Sequence, residues 1–160
     1  MKSITRVVFS LMLVFILCGF NRFDPAESQA PTEEQLVAYV QEAAAFAAIY
    51  GKEAAVHEFM KKNGIFNRGE LYIFAYDYDC KVVAHGANPE WVGNDYSKLK
   101  DPVSGERTIQ KMADIARKQT KGKITYRWFH PRTRKIMTKV GYVMKVDDTW
   151  WLGSGFYVPE

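Results

Sequence analysis

Three closely spaced strand-like segments near the C-terminal end constrain the fold of this chain more than any other feature. Residues 124–128, 138–143 and 151–157 are rich in β-branched and aromatic side chains and are separated by short turn segments. Such segments with hairpin-length connections predict neighbouring antiparallel strands. Tyr126 and Trp128 are two residues apart, so both side chains are expected on one face of the sheet.

The segment after residue 31 has a helical pattern. Thr32 followed by Gln35 three residues later forms a predicted capping box, which opens a helix. Apolar residues then recur at helical spacing as far as Gly51. We expect Gly51 to stop or bend this helix, and a second, shorter helix to end near Asn63.

After residue 70 the apolar residues no longer recur at helical spacing, and the new pattern predicts a β-hairpin. Residues 71–76 and 81–85 are the two strands, separated by a polar turn. Residues 86–99 lack periodicity and are expected to form a loop with one short helix; such loops often close over sites. Residues 108–119 predict a third helix. The whole order indicates an α+β fold, with an antiparallel sheet of about five strands, a long N-terminal helix and further flanking helices.

The N-terminal segment resembles an export signal. Two basic residues precede the apolar residues 7–20, a run of about 14 residues, whereas a bilayer-spanning helix needs about 20. With small-residue cleavage options beyond it, this pattern predicts a signal peptide at residues 1–30 and one domain at residues 31–160, periplasmic or secreted. The alternatives are membrane anchoring, if the segment is retained, and a lipoprotein attached at Cys18.

Charge and size limit the class of protein. The net charge of +4 falls to +3 without residues 1–30, and the basic residues are spread along the chain rather than clustered. Nucleic acid is therefore not an expected partner. About 130 residues suffice for one domain with a single core.

The chain lacks the signatures of enzymes and of metal proteins. After signal cleavage Cys80 would be the sole cysteine, which excludes an intrachain disulfide and a cysteine-based zinc site. No nucleophile elbow, phosphate loop or metal-binding histidine pair is recognisable. We therefore predict a protein without enzymatic activity and without a cofactor.

Several short motifs occur in a characteristic order along the predicted mature chain. They are YIFAYD at 72–77, VAH at 83–85, NPEWVG at 88–93, LKD at 99–101, YRW at 126–128, KVGYV at 139–143 and GSGFY at 153–157. Together they resemble the single Cache domain, type 2, an extracytoplasmic relative of the PAS fold. Cys80 stands where such domains often have a turn glycine.

The resemblance implies a sensor that binds a small metabolite, often a short carboxylate, between the sheet and the segments that cover it. The candidate ligand-binding residues are Tyr72, Phe74, His85, Tyr126, Trp128, Lys139 and Tyr142. A carboxylate removed from water needs a cation and several donors, and Lys139 would be the cation. Tyr142 is three residues from Lys139 and faces the other way in a regular strand, so it is the weaker candidate.

Four of the candidates also have a purely structural interpretation. Tyr126 and Trp128 are then core residues, Lys139 is an exposed strand lysine, and His85 is a strand-end histidine bonded to backbone.

The competing function is an exported accessory module that docks on a membrane receptor and has a vestigial pocket. A pocket filled by its own side chains, with an exposed apolar patch on the N-terminal helix, would favour docking. A polar pocket would favour a sensor, which would signal through a membrane partner because the chain has no recognisable output domain.

Overall fold

The computed structural model of the protein describes residues 30–130 and 133–158. Residues 1–29 of the predicted signal peptide, which include Cys18, lie outside the described residues. The helices are α1 (Glu33–Phe59) and α2 (Thr108–Gln119), with a 3-10 turn at Pro89–Trp91. The strands are β1 (Asn67–Arg68), β2 (Leu71–Tyr72), β3 (Phe74–Asp77), β4 (Val82–His85), β5 (Lys121–Phe129), β6 (Ile136–Lys145) and β7 (Trp150–Tyr157).

Five strands form one antiparallel sheet in the order β4-β3-β7-β6-β5. β7 pairs on one side with β3 and on the other with β6, so it is buried along its whole length. β1 and β2 form a separate two-stranded hairpin. The α+β class and the sheet of about five antiparallel strands are confirmed.

Helix α1 covers one face of the sheet. It begins with the predicted capping box. The Thr32 hydroxyl accepts from the backbone N–H of Gln35 (3.2 Å), and the side-chain oxygen of Gln35 accepts from the backbone N–H of Thr32 (2.8 Å). Its buried stripe includes Leu36 and Val40. At Gly51 the backbone has φ +81°, a conformation that glycine adopts without steric cost, and the helix bends there. The two predicted helices are therefore present as two segments of α1 that meet at a kink, within a span of 27 residues.

Helix α2 covers the opposite face and buries a stripe that includes Ile109, Met112 and Ala116. The sheet consequently separates two core clusters. Because successive strand residues point to opposite faces, β7 contributes Leu152 to the α1 side and Trp151 to the α2 side.

The predicted hairpin is formed by β3 and β4, and the predicted loop follows it. Cys80, in the β3–β4 turn, has φ +67°, the left-handed conformation that favours glycine. The position where the resemblance expects a turn glycine thus has a glycine-like backbone, although a buried cysteine occupies it. The short helix expected in the loop is the 3-10 turn at Pro89–Trp91.

Candidate functional site

A small cavity lies on the α2 face of the sheet. Its lining residues are Tyr72, Phe74, Tyr76, His85, Ile109, Met112, Tyr126, Trp128 and Lys139. Six of the seven predicted site residues are therefore brought together around one cavity. Its volume of about 10 Å³ is close to the minimum that holds one water molecule.

The side chain of Lys139 lies at the centre of this site. It extends from β6 and is only 1 % exposed, which excludes the interpretation of an exposed strand lysine. Its Nζ donates to the Tyr72 hydroxyl at 2.8 Å and lies 4.4 Å from the Tyr72 ring centroid and 4.9 Å from that of Tyr157. Within the described residues, no carboxylate oxygen lies within 4.0 Å of this Nζ.

Removal from water changes the protonation of this lysine. Burial lowers the pKa of Lys139 to about 7, and the more distant charge of Glu70 opposes the shift. The faces of the Tyr72 and Tyr157 rings stabilise the ammonium form in part. Near neutral pH both the ammonium and the neutral amine of Lys139 are therefore populated.

His85 ends β4 at the edge of the cavity and is 2 % exposed. Its Nδ1 accepts the backbone N–H of Asn88 at 3.0 Å, so the neutral ring carries its proton on Nε2. Burial, followed by the charge of Lys139, lowers the pKa of His85 to about 3. His85 is therefore bonded to the backbone and also lines the cavity, and its neutral ring can donate a hydrogen bond.

Tyr126 and Trp128 enter the cavity from the same face of β5, with ring centroids 5.7 Å apart in an edge-to-face arrangement. Tyr126 is directly opposite Lys139 in the β5–β6 register, which explains why they converge. Between them in sequence, the Arg127 backbone N–H donates to the buried Asp101 carboxylate at 2.6 Å. This bond ties the preceding loop to the strand that carries both rings.

Two glycines of the central strand β7 lie beneath the site. A Cβ added at Gly153 would lie 2.8 Å from a ring carbon of Phe74, and one added at Gly155 would lie 3.1 Å from Cε of Lys139. The Phe74 ring and the Lys139 stem can therefore lie flat against β7 only because these two positions lack a side chain.

Tyr142 does not belong to the site. It lies on the opposite face of β6, in the core cluster beneath α1. Its inclusion among the candidate ligand-binding residues is therefore corrected. The strand is regular here, so residues three apart point to opposite faces.

Four residues of the site were missed from the sequence. Tyr76, Ile109 and Met112 line the cavity, and Tyr157 contacts the Lys139 amine. Tyr76 has a sequence signal, because it continues the alternation of Tyr72 and Phe74. The partnership of Tyr157 with Lys139 depends on the β6–β7 register.

The polar groups that line the cavity share one chemical character. Each of them can donate a hydrogen bond, and none of the lining side chains is acidic. In the described part of the chain, no group of three or more His, Cys, Asp or Glu side chains is placed to hold a metal ion. The electrostatics of the cavity suit a small anion.

A second cavity lies beside the first. It has a volume of about 170 Å³, and its lining residues are Asn67, Gly69, Glu70, Tyr72, Ala87, His130 and Tyr157. Tyr72 therefore borders both the small inner cavity and this larger outer one.

The family model described as single Cache domain 2 matches residues 32–160. The chain belongs to this family. Structural comparison agrees: a Cache chemosensory domain described as a structural basis for carboxylic acid recognition has a TM-score of 0.68 and 27% identity, with 79% of this chain and 92% of that domain covered. The PAS-like Cache fold implied by the motifs is confirmed.

Two larger proteins contain related sequence. The methyl-accepting chemotaxis protein McpP of Pseudomonas putida is 32% identical over 90 residues, which are 56% of this chain and 16% of McpP. The sensor histidine kinase MctS of Rhizobium johnstonii is 25% identical over 175 aligned residues, covering 99% of this chain and 38% of MctS. The chain is thus a Cache sensor domain homologous to regions of a chemoreceptor and a sensor kinase, and periplasmic sensing is the setting of such domains.

Proposed function

We propose that this Cache domain binds a short carboxylate metabolite in the cavity around Lys139 and passes the signal to a membrane partner. The buried amine of Lys139 supports this proposal, because its cavity contains donors but no acidic side chain. A buried ammonium without a counter-ion is costly. The carboxylate of a ligand would supply that counter-ion.

The lining offers a complete set of contacts for such a ligand. Its carboxylate would accept from the Lys139 Nζ, from Nε2–H of His85 and from the indole N–H of Trp128. Its short apolar part would pack against side chains such as Phe74 and Met112. The solved neighbour whose description names carboxylic acid recognition supports the same ligand class.

Binding would require the inner cavity to open. A ligand of about six heavy atoms does not fit a volume of about 10 Å³, which is near the minimum for one water molecule. Displacing the Tyr72 phenol would join the inner cavity to the outer one of about 170 Å³. That movement would break the bond between Lys139 and Tyr72, so ligand binding would be coupled to a change in the β2 segment.

Export and the membrane partner complete the proposal. No described helix is both long and apolar enough to cross a bilayer. We propose that residues 1–30 direct export, with cleavage giving a periplasmic or secreted protein and retention giving a tethered one. A ligand-dependent conformation would then alter contacts with a receptor or kinase in the membrane.

Calorimetry with short carboxylates tests the role of Lys139. At the ceiling of about 1.5 kcal/mol per heavy atom, a six-atom ligand gains about 9 kcal/mol, so micromolar affinity is near the best expected. Lys139→Ala should cost about 3 kcal/mol, or on the order of a hundredfold in affinity for propionate or lactate.

The matched control is Lys123→Ala, which removes an exposed strand lysine paired with Glu33 and should leave the affinity unchanged. Circular dichroism establishes that each variant is folded. If folded Lys139→Ala binds within twofold of the unmodified chain, the proposed role of Lys139 is wrong.

A second candidate function is docking on a receptor through the surface of α1. Two observations favour it: the inner cavity is almost filled by its own side chains, and Ile49 and Tyr50 are 73% and 61% exposed beside the bend at Gly51. A thermal-shift screen separates the candidates, because ligand at ten times its Kd stabilises by about 1.4 kcal/mol, a shift of a few degrees. No shift with carboxylates, amino acids, amines or purines would favour docking.

A further inference from the structure

The amine of Lys139 has the surroundings of a nucleophile as well as those of an ion-pair partner. It is buried against aromatic faces, it touches a hydroxyl, and it borders a cavity with room for about one water molecule. Desolvated lysines of this kind form covalent imines with carbonyl compounds.

We propose that the cavity captures 2-oxo carboxylates covalently, as an imine between Nζ of Lys139 and the carbonyl carbon of the ligand. The inference rests on the proposed function, because the same donors would hold the carboxylate. Within that ligand class, it assigns covalent binding to the acids that carry a carbonyl group next to the carboxylate.

The reaction needs no oxidant or reductant. The lone pair of the neutral amine attacks the carbonyl carbon, and the carbonyl oxygen takes up a proton as the carbinolamine forms. A second proton transfer converts its hydroxyl group into water, which leaves as the C=N bond forms. The products are one imine and one water molecule, and hydrolysis reverses the reaction.

Neutral amine is the reactive form, and the site supplies it. Burial lowers the pKa of Lys139 to about 7, so a large share of the molecules carry the free amine near neutral pH. An ordinary exposed lysine is neutral in less than about one molecule in a thousand at that pH. Reaction at neutral pH would therefore select Lys139 over the surface lysines.

The Tyr72 hydroxyl is placed to move the protons. In the unliganded protein it accepts from Nζ of Lys139 at 2.8 Å, so a ligand that displaces the phenol would lie between the two groups. The phenol could then donate its proton to the carbonyl oxygen and regain one that the attacking nitrogen releases. Burial raises the pKa of Tyr72 to about 12, which keeps the phenol protonated between these transfers. Tyr72 would be a proton relay as well as a residue that borders both cavities.

The donor-lined cavity also suits the product. A protonated imine keeps a positive charge next to the ligand's own carboxylate, so the buried charge remains compensated. The Nε2–H of His85 and the indole of Trp128 would still bond the carboxylate oxygens. An aldehyde without a carboxylate would leave those donors unpaired, so 2-oxo acids are preferred to simple aldehydes.

Reductive trapping tests the imine. The purified full chain is incubated at pH 7 with pyruvate and cyanoborohydride, which reduces the imine to a stable secondary amine. We expect one adduct per chain, heavier by the mass of pyruvate less one oxygen atom, and peptide mapping should place it on Lys139. With saturating pyruvate, Tyr72→Phe should slow trapping at least about tenfold.

Lactate and Lys139→Met are the matched controls. Lactate has a hydroxyl in place of the carbonyl, so it should bind by calorimetry without forming an adduct, and Lys139→Met should abolish trapping. If both acids bind but pyruvate leaves no adduct on Lys139, the imine is overturned and the carboxylate sensor stands. If neither acid binds and no adduct forms, both the imine and the carboxylate sensor are overturned. Adducts spread over surface lysines and unchanged in Lys139→Met also overturn the imine.

Discussion

The two faces of the sheet are both buried, but they bury different chemistry. On the α1 face the polar tips of large aromatic residues reach acceptors of the protein itself: the Tyr39 hydroxyl donates to the Phe66 carbonyl at 2.7 Å, and the Trp150 indole donates to Asp147 at 3.0 Å. On the α2 face, Lys139 and His85 border a cavity whose lining contains no acidic side chain.

This difference distinguishes a core whose polar groups are paired within the protein from the proposed binding site. Buried donors normally have acceptors, because an unmet donor costs free energy. The α1 face meets that requirement internally and stabilises the fold. The α2 face places a lysine where burial opposes its charge, an arrangement that a bound anion would stabilise. Mutations on the two faces should therefore act on different quantities.

The largest expected effect is on stability and comes from the α1 face. Leu152→Ala removes a fully buried side chain of the central strand and should lower the free energy of unfolding by about 3 kcal/mol. Urea unfolding at 25 °C measures the change. The affinity of the folded fraction for lactate should stay within twofold. A large loss of affinity in folded Leu152→Ala would show that the two faces are not independent.

The second effect is a pH dependence that arises on the α2 face alone. The folded pKa of Lys139, about 7, lies below its ordinary value of 10.5, so between these values the unfolded chain binds the extra proton. Stability should therefore rise with pH, by up to about 1.4 kcal/mol per unit between pH 7 and pH 9, relative to Lys139→Met. Below pH 7 both states are protonated and this dependence disappears. Urea titrations of both proteins at several pH values measure it, and parallel curves would contradict it.

Carboxylate binding should follow the opposite trend over the same range. The ligand favours the ammonium form of Lys139, so binding above pH 7 takes up a proton and the affinity should fall by up to about tenfold per pH unit. Calorimetry of lactate binding in buffers with different ionisation enthalpies counts that proton. No uptake at pH 8 would mean that Lys139 is already charged in the unliganded protein.

A smaller effect compares one hydroxyl on each face. Tyr72→Phe removes the hydroxyl that accepts from Lys139, whereas Tyr142→Phe removes one from the α1 side. Because lactate binding would break that bond, we expect the first change to strengthen binding by about 1 kcal/mol, or roughly fivefold, and the second to leave it within twofold. Equal affinities in the two variants would argue against the cavity as the binding site.

The smallest effect concerns charges outside both cores. Arg68 forms two hydrogen bonds with the Glu42 carboxylate, at 2.9 and 3.0 Å, with both side chains about half exposed. Glu42→Gln should cost at most about 0.5 kcal/mol in urea unfolding, and the loss should shrink further in high salt, because water screens exposed pairs. A loss of several kcal/mol would mean that surface charge matters as much as the buried lysine.

Much of the site was predictable because strand alternation is a local rule. Tyr126 and Trp128 share a face whichever strand β5 pairs with. Tyr142 and Lys139 point to opposite faces of any regular strand. The role of Tyr157 was not predictable, because it depends on which residue of β7 lies opposite Lys139. The contribution of Met112 likewise depends on which face α2 covers.

The sequence by itself determined most elements of this protein and which residues of a regular strand share a face, because periodicity, caps and turn residues act over a few positions. It did not predict the short β1–β2 hairpin. It marked a break at Gly51, and the structure has a kink with non-helical backbone there. Only the tertiary structure placed the last strand at the centre of the sheet. The burial of Lys139 also depended on that placement, since two glycines of β7 leave the space in which its stem lies and its amine loses water.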